Sequence, residues 1–550
     1  MKNSNNYGRR SFIETASLVS AGFYVMPLFS SCNSVTSSAH PEVGTTVNSD
    51  FNANVDIQLK AVQSSTKILS TKNTDTYSYK DFLIKGNKQT LQQLEGSAFG
   101  PIIRVEKGDR VRIRFENEIS EKSIIHWHGL HVSHKNDGHP TNVIGKGETY
   151  LYEFEVMNKA GTYWFHAHPD GRTGEQVYKG LAGLFIVTDE EEKALNLPTG
   201  DYDIPIVIQD KTFDENNQLV YMPNGMMDQM RGFLGNRILI NGKTENTLYL
   251  NKDGKYRLRL INCSNSRAYK LAWNTGEPLT IFGVDGGLLV SPKIIPYLIL
   301  APAQRVDVWL DLSEKSESVE LKLIHQPIPL DNMMGGGMMN GGMMGTENDN
   351  LLPYNSQFDI LNINIRDSRK NDARLPDKLS TSTTLNPADA ANRTSPRTFN
   401  FGMGGMMKWT INGRTYNGIE VANDEIVKLN TTEVWRINNG GKISTENQND
   451  GGGMMANRGM GNMMQMPHPV HIHQLQFNII ERNTQSVDRN LWNTVKDGFI
   501  DEGPQDTVYL LPGMYMDLLM RFEDFKGLFL YHCHNLEHED MGMMRNFKVE

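Results

Sequence analysis

The sequence predicts an all-β protein built from β-sandwiches placed in series. Short runs with a two-residue hydrophobic period recur along the chain, Gly, Asn and Asp turns separate them, and convincing long amphipathic helices are scarce. Successive side chains of a strand point to opposite faces, so such runs mark strands with one buried face. At 550 residues the chain has room for several domains, each with its own core.

The first block of strands runs from about Val55 to Val187. Within it 102–105, 111–115 and 150–154 alternate, with Val111, Ile113 and Phe115 on one face and Arg112 and Arg114 on the other. Similar runs return at 204–209, 257–261, 305–312, 360–365, 433–437 and 517–522. An acidic run from Asp189 to Lys193, continuing to Gly200, marks a first linker. A polar stretch from Arg366 to Arg397, rich in Ser, Thr, Asp and Pro, marks a second. Domains are therefore expected at 51–190, 200–368 and 396–550, after an export signal and linker over 1–50. Four Met/Gly segments interrupt the β pattern, at 222–230, 333–344, 403–407 and 454–466, and hold most of the 28 Met. Gly-rich, almost uncharged and unpatterned, they are expected as mobile surface loops rather than core.

Composition is that of an ordinary soluble protein, with 38% hydrophobic residues, 22% charged and a formal net charge of −9. No basic stripe stands out, which argues against a nucleic-acid partner. Arg9 and Arg10 precede a mildly apolar run, 16–29, that is too short for a permanent membrane span. The pair resembles a twin-arginine export signal, which moves already folded proteins, and implies a periplasmic or otherwise extracytoplasmic location. The segment 28–32 loosely resembles a lipoprotein cleavage box, which leaves a lipid anchor at Cys32 open. The chain has three Cys, Cys32, Cys263 and Cys533. One lies in the leader and one among histidines, so a disulfide framework is not expected. Cys263 reads as a plain buried thiol.

Most of the 15 His are tightly organised. Four His-x-His pairs occur: His126/His128, His166/His168, His471/His473 and His532/His534. In a strand each pair aims both imidazoles at one point, so four pairs could surround a metal cluster. Imidazole alone does not choose among copper, iron, zinc and nickel. Cys533 does, because it sits between His532 and His534, with His538 and Met543 downstream and His468 upstream. Two His, a thiolate and a weak Met are the ligand set of an electron-transferring blue copper site. On a strand the thiolate would face away from its flanking imidazoles, so only its own backbone would separate that site from the cluster.

The segments HWHGLH (126–131), WFHAH (164–168), HPVHIH (468–473) and HCHNLEHEDMGM (532–543) resemble the four copper signatures of the multicopper oxidase family in order and spacing. The segment 176–183 also resembles a family segment. The resemblance implies three cupredoxin-like Greek-key sandwiches and four copper ions. Residue by residue it implies type 1 ligands at His468, Cys533, His538 and Met543, and type 2 ligands at His126 and His471. His128, His166, His168, His473, His532 and His534 match the type 3 pair. Asp137 and Glu539 occupy the places of acids that supply protons for dioxygen reduction. Bacterial cuprous oxidases carry comparable Met-rich insertions and a Met at the Met466 position, which points to Met466 and Met464 as ligands of a substrate Cu(I). They tend to have an Asp where this chain has Met464, so Asp450 or Asp506 is the alternative carboxylate. An axial Met543 implies a type 1 site of moderate potential.

The remaining histidines are given plainer roles. His131, His134 and His139 are expected at the surface or behind the ligands, and His40 and His325 as structural or solvated groups. The leading functional reading is a monomeric enzyme that oxidises Cu(I) to Cu(II) at the expense of dioxygen, as copper tolerance requires. The runner-up is a laccase-like oxidase of phenols and aromatic amines. A ferroxidase would call for carboxylates rather than thioethers. A copper store would have no use for an oxygen-reducing cluster, and a copper nitrite reductase would need neither four His-x-His pairs nor this length.

Overall fold

Alternation becomes strand where one face can be buried. In the strand Arg110–Asn117, Val111, Ile113 and Phe115 are fully buried while Arg112 and Arg114 point outward. Arg112 pairs there with Glu153 and Arg114 with Asp56 on the two neighbouring strands. The computed structural model describes residues 48, 50–94, 96–316, 320–330, 352–381, 385–404, 408–441 and 466–550. All of them belong to one compact unit, 43–550. The segment expected to be an export signal, Cys32, His40, Asp450 and Met464 lie outside the described residues.

The strands form six sheets that pack as three consecutive sandwiches. In the first, a four-stranded sheet (order Thr74–Lys85, Val55–Thr66, Arg110–Asn117, Thr149–Glu155) faces a five-stranded one (Leu91–Gln92, Ile102–Glu106, Ala182–Thr188, Gly161–Ala167, Ile125–His128). Trp127, Tyr152, Phe165 and Phe185 fill the space between them. The second sandwich pairs a seven-stranded sheet centred on Lys255–Asn262 and Arg305–Asp311 with a five-stranded sheet from Thr247–Lys252 to Leu298–Leu300. The third pairs Lys408–Ile411, Arg397–Gly404, Thr431–Asn439, Met514–Phe522 and Phe477–Asn483 with Ile426–Val427, Met544–Val549, Gly527–Cys533, His468–Ile472 and Thr507–Leu510. Val55–Thr66 pairs in parallel with Arg110–Asn117, as Asp203–Phe213 does with Lys255–Asn262 and Arg397–Gly404 with Thr431–Asn439.

Two sequence expectations change. The run 257–261 alternates Arg and Leu, which suggests one wet face, yet Arg257 and Arg259 are buried. Glu192 and Asp307 neutralise Arg257, and Asp203 binds Arg259 through two hydrogen bonds, so the charges are paired out of water. The Met/Gly segments are not wholly surface loops either. Met230 lies on the short helix Met226–Arg231 and is buried, Met466 is buried, and Met403 lies half-buried on the strand Arg397–Gly404. An unbranched thioether fills irregular gaps in a core, which hydrophobic periodicity does not reveal.

Candidate metal centres

The four His-x-His pairs sit at the facing ends of the first and third sandwiches. Strand register sets them side by side: His126 lies opposite His166, and His471 opposite His532. The two histidine faces then close on each other, His128 stacking on His471 at 3.6 Å and His126 on His473 at 3.7 Å. All eight imidazoles are buried.

Hydrogen bonds at one ring nitrogen decide which nitrogen faces inward. His126 Nδ1 donates to the Asp137 carbonyl at 2.7 Å and His471 Nδ1 to the Asp506 carbonyl at 2.8 Å, which leaves their Nε2 atoms 3.4 Å apart. His473 Nδ1 bonds the Asp137 carboxylate at 2.9 Å, and His532 Nδ1 the Cys533 carbonyl at 3.1 Å. The Nε2 of His532 then lies 3.1 Å from that of His473 and 3.4 Å from that of His168. His128 is turned the other way. Its Nε2 faces Asp506 Oδ1 at 3.1 Å and Thr507 Oγ1 at 3.2 Å, so Nδ1 is its inward atom. His128, His166 and His534 form another trio, with ring centroids 5.1 to 5.8 Å from one another.

The thiolate centre lies behind this cage. Cys533 Sγ is 3.4 Å from His468 Nδ1 and 3.7 Å from His538 Nδ1, and Asn535 N–H points at the sulfur from 3.4 Å. His538 presents Nδ1 because its Nε2 donates to the Met230 carbonyl at 3.1 Å. Asn535 caps the short helix Leu536–Asp540 that carries His538. Met543 is fully buried, and its backbone bonds both Cys533 and His538. The sulfur and its flanking imidazoles thus lie on opposite sides of one strand.

Electrostatics and hydrogen bonding agree on what such a place can hold. Burial, reinforced by crowding of neighbouring imidazoles, pushes His128, His166, His168, His468, His471, His473 and His534 well below the usual histidine range. Burial pushes His538 down to about 3. Neutral imidazoles keep the lone pairs that a metal needs. Burial raises the Cys533 thiol, so its proton must leave when a cation binds. Among the described residues His128 Nδ1, His166 Nε2 and both nitrogens of His534 are buried without a hydrogen-bond partner. Buried polar atoms are rarely left so, and a cluster of them fits an ion. Donor atoms of His126, His128 and His166, of His126, His471 and His473, of His168, His473 and His532, and of His468, Cys533 and His538 each lie within 4.8 Å of one another. Imidazoles with a thiolate fit copper.

The structure brings Asp137 and Glu539 to the cage edge. Asp137 Oδ1 is 3.5 Å from His126 Nδ1, and Glu539 Oε2 is 3.1 Å from His532 Nδ1. Asp506 is not a partner of Met466. It is buried, accepts from Arg305 Nη1 at 2.7 Å, and faces His128. The guanidinium of Arg305, itself buried, makes that position the lower-energy place for the carboxylate. Sequence spacing gave Asp506 a different role and missed Arg305, because nothing links Arg305 to the histidine motifs in the primary structure. It also missed Glu537, a buried carboxylate that accepts from Tyr221, Phe233 N–H, Asn265 and Ser266 of the second sandwich. Gly129, within HWHGLH, has φ +84°, and a Cβ there would sit 2.4 Å from Asp506 Oδ2.

The other histidines serve structure. His131, His134 and His139 bridge from the first sandwich to the third, at Asp524, the Lys526 carbonyl and Asn546. His325 stacks on Phe358 at 4.5 Å. Cys263 is buried, as expected of a plain thiol.

Known proteins resemble this chain in sequence and in fold. Residues 76–192 and 390–550 each match a family model described as multicopper oxidase. A multicopper oxidase of Staphylococcus aureus is 30% identical over 493 residues, covering 88% of this chain and 91% of that protein. The crystal structure of the McoA multicopper oxidase of Aquifex aeolicus is similar with a TM-score of 0.71 and 30% identity, over 91% of this chain and 97% of that one. A multicopper oxidase of Campylobacter jejuni termed a metallo-oxidase is similar with a TM-score of 0.68 and 26% identity, over 90% and 91% of the two chains.

Proposed function

The chain belongs to the multicopper oxidase family, and from that premise we propose that it is a cuprous oxidase that protects the cell from copper. Family membership makes it a copper-dependent oxidoreductase that uses dioxygen and a reducing substrate. The further reading is that Cu(I) is that substrate. One observation carries it: the Met466 thioether is buried two residues before His468, whose Nδ1 is 3.4 Å from Cys533 Sγ. Thioether sulfur is soft and selects Cu(I) over harder ions. The metallo-oxidase character of the Campylobacter jejuni relative supports the same reading.

Four copper ions are proposed. His468, Cys533, His538 and Met543 would hold the type 1 ion, His126 and His471 the type 2 ion, and the remaining six cage histidines the type 3 pair. Bound copper would supply one-electron oxidation at the thiolate centre and dioxygen reduction in the cage. The protein's own contribution is placement. The Cys533 backbone is a covalent path between the two centres, since His532 and His534 flank it in sequence. Asp137 and Glu539 hold carboxylate oxygens against cage histidines and would pass protons to reduced oxygen. Export by the twin-arginine segment to the periplasm, with or without lipid at Cys32, would put a monomeric enzyme where copper enters.

The test compares turnover on Cu(I) and on a phenol, in the natural protein and in Met466→Leu. Cu(I) oxidation is expected to fall by roughly tenfold in the variant while phenol oxidation stays within about twofold. Equal losses on both donors would return the assignment to a laccase-like oxidase. Absence of oxygen uptake with any reductant would make the protein a copper store.

A further inference from the structure

Neither imidazole of the thiolate centre reaches solvent. His468 and His538 are both fully buried, and the outer nitrogen of His538 is occupied by the Met230 carbonyl at 3.1 Å. An electron arriving from outside must therefore cross whatever covers these rings. Among the described residues one aromatic side chain lies against both. The indole of Trp409 is centred 4.4 Å from the His538 ring with a tilt of 36°, and 5.1 Å from the His468 ring, edge-on at 77°. These are the separations of aromatic rings in contact. Phe401 is the next aromatic group on this side, and it approaches only His468, at 6.3 Å.

Trp409 has the placement of a conduit as well as of a clamp. It lies on the strand Lys408–Ile411 in register opposite Met403, so the two side chains share one face of the strand pair. Met403 is half-buried and Lys408 exposed, whereas Trp409 is buried. Within a few residues this strand pair thus runs from the surface to the imidazoles through a polarisable thioether and a π system. Among the described residues the indole N–H of Trp409 has no acceptor, unlike that of Trp435, which donates to Glu433 at 3.0 Å.

We propose that Trp409 is the positioning residue for electron entry: it fixes both imidazoles and carries the electronic contact to them from the paired strands Arg397–Gly404 and Lys408–Ile411. The proposal rests on the multicopper oxidase reading of the thiolate centre and is independent of whether the donor is Cu(I) or a phenol. In the step one electron leaves the external donor, which is oxidised by one charge, and is accepted by the ion that His468, His538 and Cys533 would hold. No bond forms or breaks in the indole, and its proton stays on Nε1.

The experiment uses the full chain, its Trp409→Phe variant and its Trp409→Leu variant, each loaded with copper. Reduction of the thiolate band near roughly 600 nm is followed anaerobically after mixing with ferrocyanide, a small outer-sphere donor. Trp409→Leu is expected to bleach roughly tenfold more slowly, and Trp409→Phe to stay within about threefold of the natural protein. Independently, the fluorescence that Trp409→Phe lacks is the emission of Trp409. Most of that emission should vanish when Cu(II) is added to the metal-free natural protein. Bleaching of Trp409→Leu at the natural rate, Trp409→Phe as slow as Trp409→Leu, or Trp409 emission indifferent to Cu(II) would each overturn the proposal. Should Trp409→Leu fail to hold copper, the fluorescence result decides alone. A natural protein with no such band after loading would instead refute the thiolate centre itself, so the two failures are told apart.

Discussion

Asp137 serves two cage histidines with two kinds of oxygen. Its carbonyl accepts from His126 Nδ1 and its carboxylate faces His473 Nδ1, so one residue fixes the planes of two imidazoles from different sandwiches. Asparagine could keep both hydrogen bonds but could not accept a proton at neutral pH. Asp137→Asn is therefore expected to slow oxygen turnover by roughly 10- to 100-fold while the blue absorption of the Cys533 centre persists. Steady-state oxygen uptake alongside the visible spectrum checks this, and unchanged uptake would remove Asp137 from proton supply. Asp506 shows the complementary logic. Its carbonyl orients His471, and its carboxylate faces His128 only because Arg305 compensates the buried charge.

At the scale of elements, the His-x-His pairs became legible because a strand has a strict period of two. Cys533 facing away from His532 and His534 follows from the same period, and the structure obeys it, with Cys533 Sγ turned to His468 and His532 Nε2 turned to His473. The connections are governed by something else. Gly138 has φ +83°, and a Cβ there would lie 2.0 Å from the Ile125 carbonyl. The loop that presents Asp137 can lie over the strand Ile125–His128 only with a glycine at this point. Gly138→Ala is expected to destabilise the protein by about 1–3 kcal/mol and to lower the copper bound per chain. Thermal melts and metal analysis measure the two effects, and a fully loaded, equally stable variant would contradict the packing argument. The Met/Gly segments illustrate where periodicity fails. Met230 and Met466 are buried beside apolar partners of the third core, yet their sequence surroundings read as loop.

At the scale of the molecule, the cage belongs to no single sandwich. His126, His128, His166 and His168 come from the first and His471, His473, His532 and His534 from the third, so an ion bound between them ties distant chain segments together. Copper-loaded protein is expected to melt higher than metal-free protein by an amount that grows with free copper, following linkage. Differential scanning calorimetry before and after chelation reports it. The metal-free form should also depend on pH in a defined direction. Burial depresses His325 and His538 to about 3, whereas an unfolded histidine titrates near 6.5. Between these values the unfolded chain binds more protons, so stability is lost as pH falls from about 7 toward 4, by up to about 1.4 kcal/mol per pH unit for each such histidine. Denaturant melts at several pH values would detect this, and a flat profile would mean these histidines are solvated.

The all-β class, the four His-x-His pairs and the opposed placement of Cys533 could be read from the sequence alone. Each depends on the local period of a strand, which a few consecutive residues suffice to specify. Tertiary structure alone decided which nitrogen of each imidazole faces inward, that Arg305 and Asp506 brace His128, that Glu537 is enclosed by the second sandwich, and that Trp409 lies against both His468 and His538. Those contacts join residues up to hundreds of positions apart, and hydrogen-bond satisfaction and packing choose among partners only after the sandwiches have met. A period of two tells a side chain which face it is on, but not what it will touch there.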